Sequence, residues 1–291
     1  MNERPPSGWK VLVGTDGSLG SRRAVDAAAR LPWPDRTELR VVTVVDSRSE
    51  LPETAAAHRQ NAETALKAAA ATLGRTARPV STAAVEGAPA KALLEEAYRW
   101  NATAIVVGAR GLGKIGGLAL GSVSAAVTRA AQCDVVVIKR DPASLRLLVA
   151  VDASEHATAA ARKLLAWRGN GAPVTILRVI EPPSVRSLPL LPTKAANLVR
   201  AEIAKATREL EREARAQVDG LAAEFKREGW NATGVVKAGV PIREIKAMAE
   251  KFRATLVGIG ARGSTGLERL LLGSVSEALI ATPNLSLFIG R

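Results

Sequence analysis

Residues 108–127 read GARGLGKIGGLALGSVSAAV, and residues 260–279 read GARGSTGLERLLLGSVSEAL. The stretches lie 152 positions apart and agree at 11 of 20 positions. In each, a glycine is followed after two residues by a second glycine, and after nine more by Gly-Ser. The first set is Gly108, Gly111 and Gly121-Ser122; the second is Gly260, Gly263 and Gly273-Ser274. An apolar run precedes each set, Ala104–Val107 and Thr255–Ile259, and a helical pattern follows, Val123–Ala131 and Val275–Ala281. A strand ending in glycine, a loop, and a helix opened by Gly-Ser is the punctuation of an α/β fold.

Further out, the same offset pairs Gly87-Ala88-Pro89 with Gly239-Val240-Pro241. Nearer the N-terminus the offset falls to 136, where Asp16-Gly17-Ser18 matches Asp152-Ala153-Ser154. The chain is therefore a duplication, with about 16 extra residues in its second copy. The join falls at Asp141–Ser144, giving domains 1–141 and 142–291, in keeping with 291 residues at roughly 150 per domain.

The first copy alternates strands and helices. Strands are expected at Val11–Gly14, Leu39–Val45, Val80–Val85, Ala104–Val107 and Asp134–Ile138. Helices are expected at Ser21–Leu31, Glu53–Leu73, Pro89–Trp100 and Val123–Ala131. The second copy repeats the order with Leu147–Val151, His156–Trp167, Val174–Val179, a long helix, Thr233–Val236, Ile242–Lys251, Thr255–Ile259, Val275–Ala281 and Leu285–Ile289. Such alternation implies helical crossovers and a mostly parallel sheet in each half. The extra residues follow Val179. Pro182, Pro183, Pro189 and Pro192 mark an irregular loop, and a helix over Lys194–Glu228 follows it. Its apolar stripe runs Val199, Ile203, Ala206, Leu210, Ala214, Val218, Leu221 and Phe225, and packs on the sheet. The alternative is that its N-terminal part overhangs and contacts a partner.

Composition narrows the class. Hydrophobic residues make up 47% and charged residues 24%, ordinary for a globular protein. The single cysteine, Cys133, excludes an internal disulfide and a cysteine zinc cluster and points to a reducing compartment. No apolar run reaches the length of a membrane span, and the N-terminus has no apolar signal core; the expectation is a cytoplasmic protein. The net charge is +13, split +5 and +8 between residues 1–142 and 143–291, with no basic tail. A basic surface attracts nucleic acid. An aromatic content of 3% is poor for base stacking, which argues against that partner.

The chemistry lies at the carboxyl ends of the strands, where open parallel sheets bind ligands. A glycine ending a strand admits close backbone approach. Gly-Ser opening a helix presents amides and a hydroxyl at the positive end of the dipole, a phosphate site. Asp16 and Asp152 end the first strand of each half on that edge. Each carboxylate is placed for a base, a ribose or a phosphate-bound Mg2+; the plainer alternative is a helix N-cap.

On these residues the chain resembles the universal stress protein family in its tandem form. Both halves match the spacing G-x2-G-x9-G-[S/T] of the ATP-binding type. The resemblance implies two doubly wound five-stranded parallel-sheet domains of strand order 3-2-1-4-5, of the adenine-nucleotide α-hydrolase-like kind. It implies ATP binding, Asp16 and Asp152 as the family aspartate, and Val44 and Val179 as backbone contacts to adenine. It assigns Thr15 to the first site, and Val123 and Val275 beside the Gly-Ser pairs to the phosphate loops. It also implies pairing through the fifth strands, as a homodimer or between the two halves of one chain. Three departures stand out. Val151 replaces Thr15, the first loop adds Gly113, Gly116 and Gly117, and the insertion borders the second site.

Two better-known motifs nearly occur. Gly108–Ile115 reads G-x4-G-K, but Ile115 stands where a P-loop needs Ser or Thr. Gly111, Gly113 and Gly116 spell G-x-G-x-x-G. Neither recurs in the second half, so the repeated pattern outranks both. The glycine-rich loop S-G-G-x-D-S of ATP-dependent adenylating enzymes is absent after the first strand. Nor is there a nucleophile–base pair or metal spacing. His58 and His156 read as surface helix residues, and Cys133 as a small buried hydrophobe. The two N-x-T sequons, at Asn101 and Asn231, carry no weight without a secretion signal, and Arg110 and Arg262 face either phosphate or solvent. The resulting expectation is an ATP-binding regulatory module for stress response with an unknown protein partner. The alternatives are a weak Mg-dependent ATPase on the same sites and a basic nucleic-acid-associated protein.

Overall fold

The computed structural model describes residues 8–46, 52–111, 120–141, 144–183, 192–261 and 272–291. The first half runs β1 (Lys10–Gly14), α1 (Leu19–Arg30), β2 (Glu38–Val45), α2 (Pro52–Leu73), β3 (Val80–Glu86), α3 (Pro89–Arg99), β4 (Ala104–Gly108), α4 (Ser122–Ala130) and β5 (Asp134–Ile138). The second runs β6 (Leu147–Val151), α5 (Glu155–Leu165), β7 (Pro173–Ile180), α6 (Thr193–Arg227), β8 (Asn231–Ala238), α7 (Pro241–Phe252), β9 (Leu256–Gly260), α8 (Ser274–Ile280) and β10 (Leu287–Gly290).

The strands form one ten-stranded sheet of order β3-β2-β1-β4-β5-β10-β9-β6-β7-β8. Each half therefore has the expected 3-2-1-4-5 order, parallel throughout. The halves join antiparallel at β5 and β10, with Val135 opposite Ile289 and Val137 opposite Leu287. The fifth-strand pairing that the resemblance implies is thus made inside the chain. Helices cover both faces, so the central strands are apolar without alternation: all five residues of β4 (AIVVG) and of β5 (DVVVI) are buried. The edge strands β3 and β8 are mixed. β8 is longer than the expected Thr233–Val236, because it pairs along all of β7, from Pro173–Asn231 to Ile180–Ala238.

The join has its own core. Trp33 and Trp167 meet edge-on at 4.7 Å, Trp9 sits 6.0 Å from Trp33, and Phe288 of β10 lies 5.6 Å from Trp167. The two helices nearest β4/β5 and β9/β10, α1 and α5, thus share one hydrophobic cluster across the halves. Each half also caps a helix of the other. Lys139, just past β5, donates from Nζ to the Ile280 and Thr282 carbonyls at the end of α8, both at 2.6 Å. Arg291, just past β10, reaches the Thr128 and Arg129 carbonyls at the end of α4. A cation at a helix C-terminus is the favourable sign for the dipole.

The long helix α6 has 35 residues, against 22 in α2, so it outreaches its counterpart by roughly 20 Å at 1.5 Å per residue. Its C-terminal half is anchored by Ala214, Val218, Leu221, Ala222 and Phe225. Its N-terminal half is anchored by Ala196 alone, its other stripe residues being half-buried at best, and Leu198 stands exposed. The loop before it, from Pro182 to Pro192, lies outside the described residues at 184–191.

Candidate functional site

β1 connects outward to β2, while β4 lies on its other side. That reversal opens a crevice at the carboxyl ends of β1 and β4, and the same crevice recurs at β6 and β9. Each holds a cleft, of about 370 Å³ in the first half and about 360 Å³ in the second.

Thr15, Asp16, Val44, Gly108, Gly111 and Val123 line the first cleft. Gly121 and Ser122, the N-cap and first residue of α4, are not part of this lining. Asp152, Val179, Gly260, Gly273, Ser274 and Val275 line the second. Gly263, Arg262, Gly113, Gly116 and Gly117 lie outside the described residues. The structure therefore brings the described candidates to the matched edges, and Val151 occupies the place of Thr15.

The local chemistry differs from the simple expectation in three ways. First, the helix N-caps are Ser18 and Ser154, whose hydroxyls accept from the Ser21 and Ala157 amides. The aspartates act one step earlier. Asp16 Oδ1 accepts from the Ser18 amide at 3.0 Å, and Asp152 Oδ1 from the Ser154 amide at 2.8 Å. Each carboxylate thus folds the turn that starts its helix.

Second, the glycines have separate jobs. A methyl on Gly108 would meet the Gly20 carbonyl oxygen at 2.2 Å, so Gly108 admits the N-terminus of α1. A methyl on Gly111 would meet Asp16 Oδ2 at 2.3 Å, which places the carboxylate against the loop. A methyl on Gly121 would meet nothing closer than 3.6 Å. A methyl at Gly121 would therefore fit without displacing its neighbours.

Third, the Gly121 amide is not free. It donates to the Ala109 carbonyl at 2.7 Å, as the Gly273 amide does to Ala261 at 2.9 Å. These bonds close the neck of each loop. The amides without an intrahelical acceptor are those of the first turn: Ser122, Val123 and Ser124 in α4. α8 has seven residues against nine in α4, so its dipole is the weaker.

Several side chains escape the sequence reading. Ser124 and Ser276, buried in the first turns of α4 and α8, donate to the carbonyls of Gly108 and Gly260 at 2.5 and 2.9 Å. The repeated G-S-V-S carried that signal. His58 and Asn61 of α2 line the first cleft; His58 is exposed on the helix, as expected. His156 is exposed in the first turn of α5 and lines neither cleft. Arg110 lines the first cleft. In the second, Arg178 of β7 is buried in the lining, and Gln217 of α6 bonds it. Cys133 is half-buried rather than fully buried, and burial, with Asp134 next to it, pushes its thiol up to about 12.

Among the described residues no cluster of three His, Cys, Asp or Glu is placed to hold a metal, and no helix is long and apolar enough to cross a membrane.

These features define a class: a tandem, doubly wound α/β protein with a cleft repeated at each switch point. The model of the Universal stress protein family matches residues 9–139 and again 144–289, and the chain belongs to that family. Universal stress protein Rv2005c of Mycobacterium tuberculosis is 29% identical over 321 aligned positions, covering 99% of each chain. Universal stress protein MJ0531 of Methanocaldococcus jannaschii is 57% identical over 42 residues, 14% of this chain and 25% of its own. The crystal structure of a universal stress protein from Archaeoglobus fulgidus superposes with a TM-score of 0.68 at 22% identity, covering 97% of this chain and 98% of that one.

Proposed function

We propose that each half binds an adenine nucleotide in its switch-point cleft, and that occupancy of the clefts regulates a stress-response partner. The observation that carries this is the phosphate-loop frame repeated at both clefts. In each, a neck hydrogen bond closes the loop, a buried serine pins the helix start to the strand end, and a glycine stands at the helix N-cap. Val44 and Val179, two strands away from those loops, take the base, and Asp16 and Asp152 face the ribose or the phosphates. A magnesium ion in this reading arrives with the phosphates, the aspartates being the nearby carboxylates.

The reading includes a division at residues 141 and 142, one nucleotide unit on each side. Pairing of β5 with β10 already uses the fifth-strand edge of both halves, so the chain supplies its own partner domain and acts as an internal pseudo-dimer. A thiol held near 12 is unreactive, as suits a reducing cytoplasmic setting.

The test is to denature freshly purified protein and identify released nucleotide by chromatography and mass, counted per chain. One nucleotide per cleft is the expected result. No released nucleotide, with no rise in melting temperature on adding ATP, would refute the reading. Turnover with Mg2+ would move the conclusion to a slow ATPase. Salt-sensitive DNA binding indifferent to Gly121→Ala would move it to a nucleic-acid protein.

A further inference from the structure

The two clefts differ in charge at the end of their second strands. Thr43, Val44 and Asp46 line the first where Arg178, Val179 and Glu181 line the second. The acids correspond, Asp16 to Asp152 and Asp46 to Glu181. The second cleft therefore has a guanidinium where the first has a neutral hydroxyl.

Arg178 is 8% exposed. Its Nη1 donates to Gln217 Oε1 at 2.8 Å, and Gln217 in turn donates to the Asp152 carbonyl at 2.9 Å and to Thr158 Oγ1 at 3.4 Å. The relay is neutral and holds the guanidinium in place. Among the described residues no carboxylate forms an ion pair with Arg178. Its other N–H groups find no described acceptor, yet they are not sealed from the cleft. By contrast Arg40, on the corresponding strand β2, is matched by the buried Glu96 at 2.8 Å. A buried charge without a counter-ion is costly, and an anion entering the cleft would relieve that cost. Arg is the residue suited to phosphate, by its planar fork of donors.

Position refines the ligand. β6 separates β7 from β9, so Arg178 sits roughly 10 Å across the sheet from Gly260 at the end of β9. Its side chain is tied to Gln217 of α6. An anionic group at Arg178 is therefore separate from a phosphate at the start of α8, Gly273 and Ser274.

We propose that the second cleft selects a nucleotide with a second anionic group, the class of nucleoside bisphosphates phosphorylated on the ribose as well as at the 5′ position, whereas the first cleft takes the singly phosphorylated kind. This rests on the nucleotide reading of the clefts and names their difference.

The experiment uses full-length protein with one cleft disabled, by Gly121→Ala or by Gly273→Ala. Calorimetry compares AMP with adenosine 2′,5′- and 3′,5′-bisphosphate. With only the second cleft active, a bisphosphate is expected to bind about tenfold to a hundredfold more tightly than AMP, the worth of a charge-assisted hydrogen bond. With only the first active, that gain is absent. Arg178→Thr, which copies the first cleft, erases the gain, and Arg178→Lys keeps part of it. An equal gain in both clefts, or a gain that survives Arg178→Thr, overturns the proposal. If no nucleotide binds either cleft, the nucleotide reading falls. Inorganic phosphate then decides the anion site: a rise in melting temperature lost in Arg178→Thr supports it, and no rise overturns it.

Discussion

The Ser276 hydroxyl donates a 2.9 Å hydrogen bond to the Gly260 carbonyl, and so fixes where α8 begins relative to the end of β9. Ser124 does the same for α4 and Gly108 at 2.5 Å. Both serines are buried, so removing either hydroxyl leaves a buried carbonyl short of a donor. Ser276→Ala is expected to cost about 1–3 kcal/mol in urea unfolding. It should also weaken nucleotide binding at the second cleft while the first is unaffected, and Ser124→Ala should do the reverse. Equal loss at both clefts from either variant would show that the serines do not position their own loops.

The glycines separate folding from binding. Gly108→Ala places a methyl 2.2 Å from the Gly20 carbonyl, and backbone cannot yield cheaply there, so a loss of about 3 kcal/mol is expected. Gly121→Ala meets ordinary contacts and changes only an N-cap, a cost of about 1 kcal/mol or less. Its effect belongs on ligand affinity. Melting curves with and without ATP distinguish the two: a low baseline for Gly108→Ala, and a near-normal baseline with a reduced ligand shift for Gly121→Ala.

Most of this architecture was legible in the sequence because its signals are periodic and duplicated. β5 and β6 fall exactly where their Val- and Leu-rich runs place them, Asp134–Ile138 and Leu147–Val151. The twin G-x2-G-x9-G-S spacing placed the clefts. What was not legible depends on groups distant in sequence. Nothing local says that Gly108 makes room for Gly20, or that the Gly121 amide is spent on Ala109. The bond between Arg178 and Gln217, 39 residues apart, has no local signal either.

The tryptophan junction predicts cooperative unfolding. Trp33 belongs to the first half and Trp167 to the second, and both are essentially fully buried. Their 4.7 Å edge-on contact lies within a core shared by both halves. Trp167→Ala should cost about 3–5 kcal/mol. In the intact protein, tryptophan fluorescence and far-ultraviolet dichroism should trace one coincident transition. Two separated transitions would mean that the halves fold as independent units and that the junction adds little.

Lys139 gives the junction a pH dependence. Its Nζ is held by the Ile280 and Thr282 carbonyls at 2.6 Å, and burial lowers its pKa from 10.5 to about 8. A folded pKa below the unfolded one means that, between these values, the unfolded chain binds a proton the folded chain has released. Stability from this group therefore rises with pH across that window. The neutral amine still carries two N–H donors, enough for both carbonyls, so deprotonation removes the desolvation cost without breaking the cap. Lys139→Met removes both the amine and its titration. Urea unfolding of the two proteins at intervals from about pH 7 to 10 checks this: the stability of the native protein relative to Lys139→Met should grow above about pH 8. A difference that stays flat or shrinks across that range would mean that the ammonium keeps its proton at the junction.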